Sequence, residues 1–402
     1  MEEGITEGAK SGAGAVLLFF MIGVLVASWV IGGTIPSLIY AGFGLVTPNY
    51  FYAIVFLTTA VIGICIGSSL TTAATIGVAF IGIAGTIDVS FAVTAGAIVS
   101  GAFFGDKMSP LSDTTNLASS MVGVDLFAHI RNMLWTTVPA FIISAGLFAV
   151  LSPYVTKGDF SRMDQFQSQL EATGLVHWYS MLPLFVLLVF TFLKVPALLT
   201  LAAGSASAIA LSFVHAPNSA GDILTLLLKG YTSQTGYENI DALLSRGGLE
   251  SMFQTVALVL LALSMGGLLF TLGIVPRLLA TVENALKTAG SVIVAAALSG
   301  IGINIVVGEQ YLSILLTGEA FQASFKKVGL ESKNLSRVLE DAGTVINPLV
   351  PWSVCGVFIA HVLGVSTLDY LPFTFFCLLS PILTVLFGLT GKTLTYTKKE
   401  IA

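Results

Sequence analysis

Charged residues are scarce in this sequence of 402 residues, and their scarcity excludes an ordinary soluble protein. Asp, Glu, Lys and Arg make up 10% of the chain, whereas soluble globular proteins carry about a quarter. The formal net charge of -5 is spread through short loops and forms neither a basic patch nor an acidic tail. We therefore expect no nucleic-acid partner.

Reactive patterns are equally rare, which excludes the common classes of enzyme. The three cysteines lie inside apolar segments without the spacing of a metal site or a disulfide framework. Gly391-Lys392-Thr393 ends like a phosphate loop, but Leu386 stands where that motif requires glycine. The sequence contains no pattern that pairs a nucleophilic side chain with a base able to activate it. The sequence predicts no catalytic residue, no cofactor and no site for ATP.

Apolar sequence is abundant, since 55% of the residues are hydrophobic. Runs of about 18 to 25 apolar residues, long enough to cross a hydrocarbon core of roughly 30 Å as helices, recur along the chain. The sequence predicts an all-α polytopic membrane protein with about ten transmembrane helices, embedded in a lipid bilayer. These helices are predicted near residues 13–33, 50–66, 89–104, 134–151, 178–193, 196–215, 252–275, 289–305, 345–363 and 371–391.

Two further stretches are too interrupted to be ordinary spans. Residues 67–85 are rich in Ser, Thr and Gly, and residues 308–326 contain Glu309. Both predict re-entrant hairpins buried in protein, because irregular backbone at membrane depth must avoid lipid. Each precedes a predicted broken helix, at about 89–118 and about 343–363, that a polar, proline-containing stretch interrupts.

The order of these features repeats along the chain. Gly67 falls on Gly308 and Pro110 on Pro351 at one shift, since 308 − 67 = 241 and 351 − 110 = 241. Residues 1–151 and 252–402 are therefore predicted to be two repeats, with connecting loops and two helices in 152–251. The register leaves open whether the repeats are parallel or inverted. It places the counterparts of the helices in 178–215 before Met1, which predicts that the chain lacks two N-terminal helices.

A polar stretch at 105–116 concentrates two carboxylates, an amide and several hydroxyls. Such groups persist at membrane depth chiefly where they face a cavity, pair with each other or bind something. Sodium, like other hard cations, prefers mixed oxygen ligands, and Ser109, Asp113, Thr114 and Asn116 offer them. Burial disfavours an ionised carboxylate and a bound cation favours it. Protons and sodium are therefore expected to compete for one site.

Several polar residues have a second interpretation. In the alternative interpretation, Asp106 and Lys107 lie in a loop outside the membrane and are solvated. Within the membrane, Lys107 either pairs with Asp106 or extends its amine to the interface. Glu309 is a site carboxylate or a hairpin tip exposed to water. Glu340 and Asp341 are site carboxylates or cap a helix end at the membrane surface.

The remaining charged and titratable residues give an orientation and one proton-carrier candidate. His361 is the histidine inside a predicted span, and we expect it to be the one worth testing as a proton carrier. Basic residues crowd one loop and the end of the chain, which predicts that both lie on the cytoplasmic side. These residues are Lys326, Lys327, Lys333, Arg337, Lys398 and Lys399.

Five blocks of the sequence resemble the NhaC family of sodium/proton antiporters, within the ion transporter superfamily. They are residues 29–40, 67–77 (GSSLTTAATIG), 105–116, 308–321 (GEQYLSILLTGEAF) and 335–356. The resemblance implies two inverted halves, each with a re-entrant hairpin and a broken helix. It implies a secondary transporter that exchanges Na+ for H+ across the cytoplasmic membrane by alternating access. Family members usually begin with two further helices.

The resemblance also implies which residues bind the ions. The implied ion-binding residues are Asp106, Ser109, Asp113, Thr114, Thr115, Asn116, Glu309 and Asn347, with sodium itself at Asp113, Asn116, Thr114 and Ser109. Supporting roles are expected for Lys107, Thr71, Thr72, Asp341 and Thr344. The expected partners are sodium ions, protons and lipid, and a homodimer is compatible with the family.

An alternative is a Na+/H+-coupled organic-acid exchanger, because some relatives take up malate with protons against sodium and lactate. A carboxylate substrate requires an added cationic or helix-N-terminal anchor near the site. Lys107 is the only obvious candidate, and this favours simple cation exchange.

Overall fold

The computed structural model describes residues 2–45, 50–152, 157–193, 195–215, 219–274, 277 and 288–397. Regular structure within them is helical, apart from one isolated bridge between Leu330 and Tyr396. Six helices are long and apolar enough to cross a membrane, or up to eight if each of two bent helix pairs is one span. The all-α membrane fold is confirmed. The predicted count of about ten is higher partly because Phe51–Ile66 and Trp178–Phe192 are too short to qualify.

The first half consists of helices that alternate with short breaks. In chain order they are α1 (Glu2–Ser11), α2 (Ala13–Ile31), α3 (Thr34–Leu45), α4 (Phe51–Ile66), α5 (Ser69–Thr86, with a wide π-helical stretch at Ala73–Gly77), α6 (Phe91–Met108), α7 (Asp113–Met121) and α8 (Leu126–Leu151). The connecting segment holds α9 (Lys157–Ala172), α10 (Trp178–Phe192), α11 (Ala197–His215), α12 (Ala220–Lys229) and α13 (Glu238–Leu244).

The second half begins with α14 (Leu249–Thr271). It continues with α15 (Ala289–Val307), α16 (Gln310–Lys327), α17 (Ser332–Leu349, with a wide π-helical stretch at Leu339–Thr344), α18 (Val354–Leu363), α19 (Thr367–Phe373) and α20 (Phe375–Thr390). The axes of α17 and α18 are bent by 46° at the intervening break, and those of α19 and α20 by 59°.

Helix ends recur along the chain at the shift of 241 residues found in the sequence. Gly67 ends α4 and Gly308 ends α15, both in the left-handed conformation with φ of 70° and 76°. At the same shift, Ser112 caps α7 and Ser353 caps α18, each accepting from a backbone N–H three residues later. The division of the chain into two repeats stays a prediction that these matched ends favour.

The chain reverses at Gly67, at the start of the segment predicted as a hairpin. The backbone N–H of Ser90 donates to the hydroxyl of Tyr52 at 3.0 Å, so the far ends of α4 and α5 lie together. The limbs of the hairpin are therefore α4 and α5, and residues 67–85 supply only its turn and second limb. Likewise 308–326 forms the turn at Gly308 and most of α16, because a single left-handed glycine suffices to reverse direction.

One end of the molecule carries the basic loop, and we call it the basic face. There Leu330 pairs with Tyr396, and the Asn132 side-chain amide donates to the carbonyl of Lys333 at 2.7 Å. The predicted neighbourhood of this loop and the C-terminal segment holds as far as Tyr396, while Lys398 and Lys399 lie outside the described residues. Arg337 is an exception to the prediction, because its side chain is fully buried.

The other end of the molecule, the opposite face, gathers the outer ends of α4, α5 and α8. The backbone N–H of Tyr52 donates to the hydroxyl of Ser152 at 3.1 Å, just beyond α8. Because α8 begins near Lys333, it runs from the basic face to the opposite face. The hairpin α4–α5 thus opens on the opposite face, and α16 ends at the basic loop.

A close helix crossing positions the first break deep in the protein. A methyl group added at Gly105 would lie 2.5 Å from the backbone of Gly63, so α4 and α6 pack with their backbones almost in contact. Only glycine permits this approach. It fixes Asp106 and Lys107, the next residues of α6, against the turn between α4 and α5.

One aspartate outside the spanning helices, Asp241, fixes a loop of the connecting segment through hydrogen bonds. Asp241 accepts hydrogen bonds from the Ser233 hydroxyl at 2.7 Å and from the Thr235 backbone N–H and hydroxyl, each at 2.7 Å. These hydrogen bonds, the one from the Ser233 hydroxyl first, lower the pKa of Asp241 from 3.8 to about 2.

Candidate ion-binding site

The first helix break, residues 109–112, separates α6 from α7 and is closed by its own side chains. The Ser112 hydroxyl caps α7 by accepting from the Thr115 N–H at 3.3 Å. The Asn116 amide reaches back from α7 and donates to the carbonyls of Pro110 at 3.0 Å and Ser112 at 2.7 Å. The carbonyl of Asp106, which Pro110 deprives of its helical partner, accepts instead from the Ser109 N–H at 3.1 Å. These three carbonyls are therefore already bonded, and the side-chain oxygens of the break are the first candidates for cation ligands.

Asp106 connects this break to the hairpin turn. One of its carboxylate oxygens accepts from the backbone N–H of Ser69 at 3.1 Å, and 5% of Asp106 is exposed. The Thr115 hydroxyl donates to the carbonyl of Lys107 at 3.1 Å. Asp106 and Thr115 therefore hold the turn, α6 and α7 in one arrangement.

A cleft of about 350 Å³ lies against the break. Five of the sequence-predicted residues line it: Thr71, Asp106, Asp113, Thr114 and Asn116. Asp113 and Asn116 are exposed to it. The cleft also reaches Leu126, the first residue of α8, so it is directed toward the basic face. The alternative in which Asp106 and Lys107 are solvated in a loop does not hold, because 5% of Asp106 and 0% of Lys107 is exposed.

Ser109 lies just behind the cleft wall. It is fully buried, and its hydroxyl accepts from the N–H of Leu111 at 3.2 Å. A methyl group at Gly67 would approach the Ser109 hydroxyl to 3.0 Å. Thr72 is buried as well and donates to the Ser68 carbonyl at 2.8 Å, so it stabilises the turn from the protein side.

Asn347 and Glu309 lie at the second break, where their polar groups bond to protein. The Asn347 amide donates to Asn304 at 2.8 Å and its oxygen accepts from the Cys355 N–H at 2.9 Å. Asn304 in turn donates to the carbonyl of Gly343 at 2.6 Å. Glu309 is 6% exposed and caps α16 by accepting from the Leu312 N–H at 2.8 Å, so it is not a tip exposed to water.

Lys107 follows neither of its two predicted interpretations, a pair with Asp106 or an amine extended to the interface. Its ammonium group forms an ion pair with Asp341 of the second half, and both side chains are fully buried. The other Asp341 oxygen accepts from the hydroxyls of Thr136, at 2.8 Å, and Thr384. Asp106 is thus not neutralised by its neighbour in sequence, and Lys107 does not extend to the interface.

Glu340 and Asp341 do not cap a helix end at the membrane surface. Both are fully buried, in the π-helical stretch of α17. The hydroxyl of Thr344, one turn further along, is buried and has no hydrogen-bond partner among the described residues. The misleading signal was the run of charges from Lys333 onward, which is typical of a surface segment but enters the protein at Arg337.

Sequence reasoning missed Asn304, Ser69 and His129. Asn304 interrupts an otherwise apolar helix, and a lone amide in such a helix is the kind of signal that indicates a buried polar network. Ser69 contributes its backbone N–H, which no side-chain pattern indicates. His129 is buried and bonds Ser336 at 2.8 Å, whereas the predicted histidine, His361, is exposed.

A carboxylate-bearing break, buried in an apolar helical protein and open to a cleft, is the arrangement of a membrane transporter. The sequence profile of the Na+/H+ antiporter family matches residues 101–392. The chain therefore belongs to this family of multi-pass membrane transporters, and the resemblance to NhaC proteins is confirmed.

Individual relatives match nearly the whole chain. It is 40% identical over 392 residues to the Na+/H+ antiporter NhaC of Alkalihalophilus pseudofirmus, covering 97% of this chain and 85% of that protein. It is 38% identical over 397 residues to NhaC of Bacillus subtilis, covering 98% and 87%. It is also 33% identical over 402 residues to the malate-2H+/Na+-lactate antiporter of Bacillus subtilis, covering 100% and 86%. All three are named as antiporters.

Proposed function

We propose that this protein exchanges Na+ for H+ across the cytoplasmic membrane by alternating access, in the service of pH homeostasis. The observation that carries the proposal is the pair Asp106 and Asp113, which line one cleft from opposite sides of a helix break. One is buried and hydrogen-bonded, and the other is exposed. Family membership supports the same exchange.

Sodium is held by side-chain oxygens of the break. Asp113 supplies the exposed carboxylate, Thr114 a hydroxyl, and Asn116 the amide oxygen left over once its N–H groups bond Pro110 and Ser112. Ser109 joins them after a small shift of the wall that buries it. Asp106, Thr115 and Glu309 hold these groups in place, and Asn347 does the same at the second break, where Thr344 has a supporting position.

Opposed orientations of the two halves support alternating access. The hairpin α4–α5 opens on the opposite face, where Ser90 meets Tyr52. The hairpin α15–α16 opens on the basic face, where α16 ends at the basic loop and a methyl group at Gly290 would lie 3.0 Å from the carbonyl oxygen of Gly388. Two repeats of opposite sense allow the cleft to open alternately to either side. The basic face is assigned to the cytoplasm.

The organic-acid exchanger is the second candidate, because a malate/lactate antiporter is among the relatives. Such a substrate requires a positive anchor near the cleft, either a cation or a helix N-terminus. Lys107 is committed to Asp341, so it offers little net charge to a carboxylate. This pairing, together with the two carboxylates Asp106 and Asp113 at the cleft, favours Na+ and H+ as the transported ions. A homodimer remains compatible with either activity, and neither activity requires a cofactor.

The test is proton flux in proteoliposomes that hold a pH gradient, reported by an entrapped dye. Sodium, lithium, potassium, or malate with lactate is added outside, and empty liposomes are the control. Proton movement on sodium alone is expected. A response that requires the organic acids would instead identify the exchanger.

A further inference from the structure

Glu340 and Asp341 are adjacent acids in opposite environments. Asp341 has both oxygens bonded, to Lys107 on one side and to Thr136 and Thr384 on the other. Glu340 is equally buried, with 0% of the residue exposed, yet neither of its oxygens makes a hydrogen bond of normal geometry among the described residues. Its hydroxyl neighbour Thr344 is likewise without such a bond. One acid is therefore a fixed anion and the other is uncompensated.

This difference determines which form of Glu340 the protein tolerates. An ionised carboxylate buried without hydrogen bonds costs several kcal/mol, about the penalty per ion found in real proteins. The neutral acid avoids most of that penalty. Lys107, the cation within electrostatic range, is already paired with Asp341. Glu340 consequently holds a proton when the cleft is open as described here.

The charges around Glu340 connect it to the cleft. Asp106, Lys107 and Asp341 lie within electrostatic range of it. Asp106 lines the cleft and Glu340 does not. The other helices that pack near α17 bring further titratable groups. These are Asp113 on α7, His129 and Arg131 on α8, Tyr311, Glu319, Lys326 and Lys327 on α16, Cys355 and His361 on α18, Asp369 and Tyr370 on α19, and Cys377 on α20.

We propose that Glu340 is the proton site of the exchange, separate from the sodium ligands at the first break. The inference rests on the proposed function and refines it, because it replaces competition at one site by coupling between two. Sodium in the cleft beside Asp106 offsets the negative charge that opposes ionisation of Glu340. The O–H bond of the carboxyl group then breaks and its proton passes to water. Loss of sodium restores the charge of Asp106, and the carboxylate takes a proton back from water.

Glu340 is separate from the proposed sodium ligands, as a distinct proton site requires. It makes no hydrogen bond to Ser109, Asp113, Thr114 or Asn116, since it has no partner among the described residues. A proton needs only one oxygen, whereas sodium needs several. The environment of Glu340 therefore suits the proton, and the hydroxyl-rich break suits sodium.

Infrared difference spectroscopy of the purified transporter tests the assignment without transport. The spectrum with sodium minus that with choline is expected to show loss of a protonated-carboxyl C=O band in the natural protein. The band is expected to be absent in Glu340→Gln and to persist in Glu319→Gln, the matched change of an exposed glutamate on α16. Persistence of the band in Glu340→Gln overturns the proposal. Should Glu340→Gln not fold, Glu340→Asp must shift the band, and an unshifted band overturns it equally.

Flux measurements separate this inference from the proposed function. Glu340→Gln is expected to lose sodium-driven proton flux and to keep exchange of labelled sodium for sodium, which needs no proton. Retained proton flux, or loss of both activities in a folded variant, overturns the role of Glu340. If the natural protein itself moves no protons with sodium, the proposed function fails instead.

Discussion

The ammonium group of Lys107 and the carboxylate of Asp341, 234 residues apart in the chain, form an ion pair in the protein interior. The pair joins α6 of the first half to α17 of the second. Thr136 and Thr384 donate to the same carboxylate, so a single acid links four helices. Any movement of one half against the other must either carry this cluster along or break it.

Replacing one partner of this pair is expected to be costly. Lys107→Met leaves Asp341 charged and uncompensated, and the free energy of unfolding should fall by about 3–5 kcal/mol. The double variant Lys107→Met/Asp341→Leu removes both charges and should recover much of that loss. Unfolding in detergent by heat or denaturant measures both. Lys333→Met is the control, because the pair Lys333–Glu331 at 2.8 Å is partly exposed and should contribute at most about 1 kcal/mol. Equal losses for Lys107→Met and Lys333→Met would contradict this account.

The two hairpin glycines should differ in their tolerance of alanine. Both have positive φ, so each substitution carries a left-handed penalty of about 1–2 kcal/mol. A methyl group at Gly67 also meets Leu111 at 2.8 Å and Ser109 at 3.0 Å, whereas at Gly308 the nearest atom is 3.4 Å away. Gly67→Ala is therefore expected to reduce exchange in proteoliposomes more than Gly308→Ala. If Gly308→Ala were equally damaging, crowding of Ser109 would not be the cause.

Asp113 tests the sodium site directly. Asp113→Asn keeps the shape of the side chain and removes its charge, so sodium-dependent proton flux should disappear. Because Asp113 is exposed to the cleft, the amount of folded protein in the membrane should not change. Asp369→Asn, at an exposed aspartate on α19, is the matched control. Exchange that survives in Asp113→Asn would remove this residue from the mechanism.

Asn304 is expected to be structural. Asn304→Ala leaves the buried carbonyl of Gly343 and the amide of Asn347 without their partners at 2.6 and 2.8 Å. Each unsatisfied group costs about 1–3 kcal/mol, and the unfolding temperature in detergent should fall accordingly. Gln165→Ala removes an exposed amide on α9 and should change little. A variant as stable as the natural protein would show that other groups satisfy the second break.

Low pH should destabilise the loop of the connecting segment that Asp241 holds, residues 230–245. Hydrogen bonds hold the pKa of Asp241 at about 2 in the folded protein, below the roughly 3.9 of a free aspartate. Its contribution to stability is thus complete above about pH 4 and disappears as the pH falls toward 2. The protection of residues 230–245 against hydrogen exchange, relative to the intrinsic rate at each pH, should fall through that interval. In Asp241→Asn the exchange should be fast already at neutral pH, and Glu250→Gln is the control. Protection that is unchanged at pH 2 would exclude Asp241 as the anchor.

The local sequence predicted well where helices end, but it predicted poorly which side chains from different helices contact each other. Pro110 and Gly67 mark their break and turn because backbone preference acts within a few residues. Lys107 was placed wrongly because its partner lies 234 positions away and a charge does not indicate its counterion. Glu340 was misjudged for the same reason, since burial depends on tertiary packing. The polar stretch at 105–116 was found because ionisable residues are conspicuous in apolar sequence.

The caps at the breaks have an electrical consequence. The first turns of α5, α7 and α16, at Ser69, Asp113 and Gln310, all border the cleft. The start of a helix carries about half an elementary positive charge from its aligned peptide dipoles. The backbone alone therefore makes this cleft electropositive, which repels the cation it is proposed to bind. Asp106 and Asp113 must outweigh that field before sodium can stay, so neutralising either one should turn the cleft from a cation receptor toward one that tolerates anions.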